Sequence, residues 1–222
     1  MIMKKYLLAV LALGATMMMA CQPVDDNGGN GGNGGDPAPI VADYTLTAGT
    51  VAEGYLENYG DMYGCGGNDI NLSITSIEVN EATGAMVGKA LYMEYICELS
   101  NKSGLGTFGP AQINWETGEG LTVNKYLAAA ELEGEIIGCG YVEMNVNSEE
   151  ITAYEGIVSG DLTVAKDGEN YVVKGLLTTL SGKTLNVDYT GALEYGDYSN
   201  QGGIAPLSLK KSLPVGKLLL KK

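Results

Sequence analysis

The sequence of 222 residues has no histidine and no arginine, and it holds one phenylalanine and one tryptophan. The missing imidazole excludes the serine and cysteine hydrolase triads that rely on a histidine base, and most zinc and haem sites. No phosphate-binding glycine loop or dinucleotide fingerprint is present, because the glycines stand at turn positions and not ahead of a helical stretch. Basic charge is scarce. Residues 22–203 carry six lysines against 27 acids, a net charge of −21, and every acid lies between Asp25 and Asp197. Such a body argues against nucleic-acid binding, which depends on basic contacts to phosphate, and favours solubility.

Glycine, with 33 residues, has about twice its ordinary share, and 14 tyrosines stand against the single phenylalanine. Together with frequent threonine and valine, this suits many short strands joined by tight turns.

The N-terminus has the pattern of an export signal. Lys4 and Lys5 precede an apolar run from Leu7 to Ala15, extended by Thr16 and three methionines. The run is too short for a permanent transmembrane helix, and small Ala20 precedes Cys21. The segment Met18-Met19-Ala20-Cys21 resembles the bacterial lipobox, with methionine where leucine is usual. That resemblance implies removal of residues 1–20 and acylation of the Cys21 thiol, with each buried methylene adding about 0.8 kcal/mol of membrane affinity. The following Gln22-Pro23-Val24-Asp25-Asp26 lacks aspartate at the second mature position. Its acids resemble the signal that sends Bacteroidetes lipoproteins to the cell surface, which implies an outer-membrane, surface location. Asn27 to Pro39 reads NGGNGGNGGDPAP and is a tether.

The expected organisation is therefore a signal peptide (1–20), lipidated Cys21 with a Gly/Asn-rich tether (21–39), a β-domain (40–200) and a basic tail (201–222). Residues 204–222 carry five lysines and no acid, and Pro206, Pro214 and Gly216 rule out one continuous amphipathic helix. The tail is read as disordered.

Within the β-domain, Leu91, Met93, Tyr95, Cys97 and Leu99 alternate with Tyr92, Glu94, Ile96 and Glu98, a strand with one apolar row. Ile70, Leu72 and Ile74 alternate, and Ile77 and Val79 resume out of phase, which predicts a bulge. Asp167-Gly168 and Ser181-Gly182-Lys183 are turn signals between strands. Tyr126 to Glu133 is the one stretch with helix propensity. The expectation is an all-β fold, an antiparallel meander of about eight or nine strands forming a β-barrel or a β-sandwich.

The run IVSGDLTVAKDGENYVVKGLLTTLSGKTLNVDYTGALEY and the earlier YLENYGDMYGCGGNDINLSI resemble a module of uncharacterised Bacteroidetes cell-surface lipoproteins. The resemblance covers about half the domain. It implies a meandering β-fold and a surface setting, and no activity.

With Cys21 committed to lipid, Cys65, Cys97 and Cys139 leave one disulfide and one free thiol. Of the three pairings, Cys65–Cys139 is preferred because both lie in glycine-flanked turns, whereas Cys97 lies on an apolar row. Glu94 with Glu98, and Glu131, Glu133 and Glu135, supply the carboxylate pairs a glycosidase needs, but both sets fit solvated faces. No catalytic, metal-binding or cofactor-binding residue is assigned. Tyr55, Glu57, Tyr59, Asp61 and Tyr63 are spaced by two, so a continuous strand would place them on one face suited to sugar rings and hydroxyls. The functional expectation is a non-enzymatic binding or display module, membrane-bound through Cys21, with a glycan or protein ligand. A structural component of a surface complex and a carboxylate-based glycoside hydrolase are the alternatives.

Overall fold

The structure, a computed structural model, describes residues 41–115 and 117–200. The signal peptide, Cys21, the tether and the basic tail lie outside the described residues. Among the described residues there are fourteen strands and no helix. The first half of the chain gives β1 (Tyr44–Thr47), β2 (Val51–Gly60), β3 (Gly67–Asn80), β4 (Ala85–Glu98), β5 (Gly106–Ala111), β6 (Lys125–Leu127) and β7 (Ala130–Leu132). The second half gives β8 (Glu135–Ile137), β9 (Gly140–Asn145), β10 (Glu150–Ser159), β11 (Leu162–Asp167), β12 (Asn170–Thr179), β13 (Thr184–Gly191) and β14 (Glu194–Asp197).

Twelve strands form one mixed sheet, and β7–β8 is a separate hairpin. The long meander β2–β3–β4 makes one limb, and β11–β12–β13 makes the other. Two strands change partners midway and so connect the limbs. β5 pairs β11 through Phe108 and then runs parallel to β6 from Gly109, while β10 pairs β9 up to Gly156 and β12 from Ile157. The chain ends finish the sheet. β1 lies parallel on β13 and β14 parallel on β2, so the sheet has two edges and does not close into a barrel. The all-β expectation holds in a sandwich-like form. Its strand count exceeds the expected eight or nine, and three parallel pairs join the antiparallel ones, because pairing with distant strands captures short segments that have little periodicity of their own.

Inward rows from both limbs share one core: Leu72 and Met93 from one, Val173 and Val187 from the other. The alternation of Leu91, Met93, Tyr95 and Cys97 gives a fully buried row as expected, but Leu99 lies beyond the strand end and is exposed. Large core rings are mostly tyrosine, and three of their hydroxyls tie down loop carbonyls. Tyr95 donates to Gly104 O (2.9 Å), Tyr126 to Gly160 O (3.0 Å) and Tyr189 to Ala192 O (2.7 Å). The Tyr95 ring also stacks on Phe108, with centroids 4.0 Å apart. The turn after Asp167 is a two-residue hairpin loop whose first residue, Gly168, has φ +61°.

Two local expectations fail. The helix over Tyr126–Glu133 is replaced by β6 and β7. Tyr126 pairs with Tyr95 of β4 and Pro110 of β5, and left-handed Glu133 (φ 53°) turns the chain back into β8. Tertiary pairing overrides weak propensity there. The bulge between Ile74 and Ile77 is absent: β3 runs in unbroken register with β4 from Gly67–Glu98 to Asn80–Ala85. Buried Ser76 keeps the inward phase, and Ile77 and Val79 turn toward solvent near the hairpin end.

Leu72 is central to the core and wholly buried. Leu72→Ala is expected to lower unfolding stability by about 2–5 kcal/mol in urea titration, with the slope of the transition preserved.

Candidate functional site

The strongest concentration of polar chemistry lies on the outward face of β2–β3–β4. Strand alternation turns Leu56 and Asn58 inward and Tyr55, Glu57 and Tyr59 outward on β2. Asp69, Asn71 and Ser73 point the same way from β3, and Tyr92, Glu94 and Ile96 from β4. The register aligns them in cross-strand rows: Tyr55–Ser73–Tyr92, Glu57–Asn71–Glu94 and, past a bulge at Asn58/Gly60, Gly60–Asp69–Ile96.

The β2 side of this face is open. Tyr59 is half-buried and stacks on Tyr198, centroids 5.5 Å apart and 27° between planes, while its hydroxyl donates to Glu57 (3.2 Å). The Tyr55 hydroxyl donates to Glu53 (2.7 Å). Tyr198, just after β14, extends the aromatic surface and is exposed, whereas Tyr195, paired with inward Leu56, donates to Lys102 O (2.7 Å) on the other side of the sheet.

The β4 side is buried. β2 stops at Gly60, and Asp61 accepts backbone hydrogen bonds from Cys65 (2.9 Å) and Gly66 (3.1 Å). That closes a loop in which Gly64 and Gly66 take left-handed φ values. The loop lays Tyr63 over β4, where its hydroxyl donates to the Glu94 carboxylate. Tyr92 donates to the other oxygen of the same carboxylate (3.1 Å) and lies 3.2 Å from Asn71 Oδ1. The five residues expected on one strand face therefore divide. Tyr55, Glu57 and Tyr59 share it, whereas Asp61 organises the loop and Tyr63 folds back over Glu94.

Cys139 completes the surroundings of Glu94. β4 hands its free edge from β9, which ends its pairing at Tyr92, to β6, which begins at Tyr95. Glu94 sits in the gap without a strand partner on that side. The Cys139 thiol fills it: the Glu94 N–H donates to Sγ (3.3 Å), and the S–H donates to Glu94 O (3.5 Å). Gly138, at φ +85°, makes the approach, since a Cβ there would lie 2.8 Å from Leu127 O and 3.0 Å from the Trp115 ring. The expected Cys65–Cys139 disulfide is thus corrected. Cys65, Cys97 and Cys139 are all free, and Cys139 is fully buried against β4 backbone.

Asp69 and Glu94 are 0% and 5% exposed. Burial pushes the Asp69 carboxyl well above the usual carboxylate range, and the nearby Glu94 charge adds to this. Glu94 is also raised by burial, but the hydroxyls of Tyr63 and Tyr92 pull it back. Neither Asp69 oxygen has a hydrogen-bond partner. Burial raises the Tyr59, Tyr63 and Tyr92 phenols, helped by Glu57 at Tyr59 and by Glu94 and Asp69 at Tyr63 and Tyr92, so the rings remain protonated donors. The expected solvated pair Glu94–Glu98 is corrected on the same ground: Glu94 is buried and Glu98 exposed. Glu131, Glu133 and Glu135 are all exposed along the β7–β8 hairpin. Asp69, Asn71, Tyr92 and Tyr198 escape sequence reasoning. Alternation predicts that Asp69 and Asn71 share a face, but only the strand register brings them to Glu94.

Among the described residues, no group of three or more cysteine, aspartate or glutamate side chains is arranged to hold a metal. No protein-family model matches the chain, and no curated protein or solved structure gives a significant match.

Three free thiols lead to a direct outcome. Burial pushes the Cys97 thiol up to about 12, and raises Cys65 and Cys139 as well. In the non-reduced chain carrying Cys21→Ala, a thiol reagent is expected to label Cys65 slowly, and Cys97 and Cys139 only in denaturant. Recovery of fewer than three thiols after unfolding would restore the disulfide.

Proposed function

We propose that the chain is a lipid-anchored protein of the outer membrane and cell surface whose β-domain binds an extracellular ligand without catalysis, a glycan being the class its tyrosine face suits. The anchor rests on the signal pattern and lipobox at residues 1–21, and the surface setting on the acids after Cys21 together with the resemblance to Bacteroidetes surface lipoproteins. The observation carrying the binding reading is the stacked Tyr59–Tyr198 pair beside Glu57 on the open side of the β2–β3–β4 face. Partly exposed rings offer a flat apolar platform to the C–H face of a sugar, and adjacent carboxylates accept its hydroxyl protons. Burial of Asp69 and Glu94 speaks against the hydrolase alternative, because a glycosidic oxygen must reach the acid that protonates it.

One observation favours the assembly alternative. The sheet ends in two edges, β1 and β14, and a sheet edge can accept a strand from another chain. A concentration-dependent dimer in light scattering, abolished by proline in β1 or β14, is the outcome that would prefer it.

Replacing Tyr59 by Ala is expected to reduce retention on a glycan array at least tenfold while leaving the far-UV spectrum unchanged. Equal retention by the variant, or none by the parent protein, removes the glycan reading. Cys21→Ala is expected to move the protein from the membrane fraction to the soluble fraction and to end fatty-acid labelling. Continued membrane association would remove the anchor.

A further inference from the structure

The uncompensated charge of Asp69 carries an inference beyond ligand binding. In a folded domain, a buried carboxylate normally meets a cation or several N–H or O–H donors. Glu94 has two phenolic donors, but Asp69 has none. The chain contains no histidine or arginine to supply positive charge. Four of the six lysines in the described residues pair with other carboxylates, Lys89 with Glu78, Lys102 with Asp197, Lys174 with Asp188 and Lys183 with Glu155, while Lys166 lies over the Tyr171 ring and Lys125 reaches to Gly109. None of these ion pairs involves Asp69 or Glu94.

Beyond Gly60 and Ile96, which flank Asp69 directly, the same face offers hard oxygen donors. Asn71 projects from the same face of β3 two residues along, and Glu94 stands directly opposite Asn71 on β4. Opposite positions on paired strands have Cβ atoms about 5 Å apart, and diagonal ones about 7 Å. Two carboxylates and an amide oxygen therefore stand on one face at backbone spacings that let their side chains reach a single ion. Asn71 turns its oxygen, not its nitrogen, toward the Tyr92 hydroxyl and hence toward this cluster. The thiol beside Glu94, on Cys139, is engaged by the Glu94 backbone, and the side chains that face the cluster from Asp69, Asn71 and Glu94 offer oxygen.

We propose that the outward face of β2–β3–β4 binds one calcium ion, held by the carboxylates of Asp69 and Glu94 and the side-chain oxygen of Asn71. Calcium fits better than magnesium. It accepts irregular coordination by six to eight oxygens and sheds water readily, whereas magnesium demands near-octahedral geometry and keeps its waters. Two carboxylates with neutral oxygens place the affinity in the range of extracellular modules, about 0.1–1 mM. A bound ion neutralises both buried charges and fixes Tyr63 and Tyr92 through Glu94. The site is independent of the glycan reading, because the ion lies on the buried β4 side and the stacked rings on the open β2 side.

The test is thermal unfolding of the full mature chain in chelator, then in millimolar calcium, magnesium, or sodium at matched ionic strength. Calcium is expected to raise the midpoint by roughly 3–8 °C, magnesium and sodium by much less. Asp69→Asn and Glu94→Gln lose that rise, and Asp167→Asn, at an exposed hairpin end, keeps it. Since a variant in the buried pair can fold poorly, Asn71→Asp supplies the opposite arm: a third carboxylate lowers the calcium concentration for half-maximal shift about tenfold. Absence of a calcium response in the parent protein, or an equal response in Asp69→Asn, overturns the proposal. The first outcome leaves a proton as the occupant of the pair, and the second assigns the response to the acidic surface at large.

Discussion

The hydrogen-bonded surroundings of Glu94 are the constraint on which the rest of the face depends. β4 is the one long strand whose two faces are both buried over its C-terminal half, and its free edge is divided between β9 and β6. At the division Glu94 would lose backbone pairing and expose a charge to a dry environment together. The Cys139 thiol meets the first need, and the hydroxyls of Tyr63 and Tyr92 meet the second. Hydrogen bonds to a charged group contribute about 1.5–3 kcal/mol each, comparable to the several kcal/mol that desolvating a carboxylate costs. Each partner in turn dictates local structure. Tyr63 requires the loop closed by Asp61, and Cys139 requires the left-handed Gly138 beneath Trp115.

The strands at the two ends of the described residues are firmly held. β1 is the first of them, and it lies parallel on β13 through four residue pairs from Tyr44–Leu185 to Thr47–Asp188. Side chains reinforce the junction. The Asp43 carboxylate accepts from both the backbone N–H and the hydroxyl of Thr184, and Tyr44 meets Lys183, Glu155 and the Tyr141 ring. The opposite edge, β14, borders the tyrosine surface, because its parallel pairing with β2 turns Tyr195 to the inner side beside Leu56 and brings Tyr198 onto Tyr59.

What the sequence discloses and what it hides follow from the range of the interactions. The row Leu91–Cys97, the loop after Asp167 and the turn at Ser181-Gly182-Lys183 are local patterns, and each was legible. Tyr126–Glu133 was not, since two strands distant in sequence decide its conformation. Glycines flank both Cys65 and Cys139, yet flanking residues cannot reveal that one thiol substitutes for a ladder partner 45 residues away. Tyr55, Glu57 and Tyr59 were legible as a face, but their continuation into Asp61 and Tyr63 ends where Gly60 takes φ +71°. The alternation in β3 announces Asp69 and Asn71, and only pairing with β4 gives them Glu94.

A sheet selected for stability alone would not keep this arrangement. Replacing a buried charged group by an apolar one of similar volume, with its partners, is often neutral or stabilising, and β-branched residues suit positions like 69 and 94. The outward face instead holds three carboxylates, an asparagine and three tyrosines under partial or full burial, beside a core in which Tyr95, Tyr126 and Tyr189 tie down loop carbonyls. Local rules that are kept through the core and broken on one face mark that face as the place where stability is exchanged for interaction. The exchange is uneven across the three strands. A carboxyl without a partner lies deep on β3, and partly exposed aromatic surface lies on β2 and just after β14. A small ion suits the first and a flat, hydroxylated molecule suits the second, so one sheet face can offer two separate kinds of recognition.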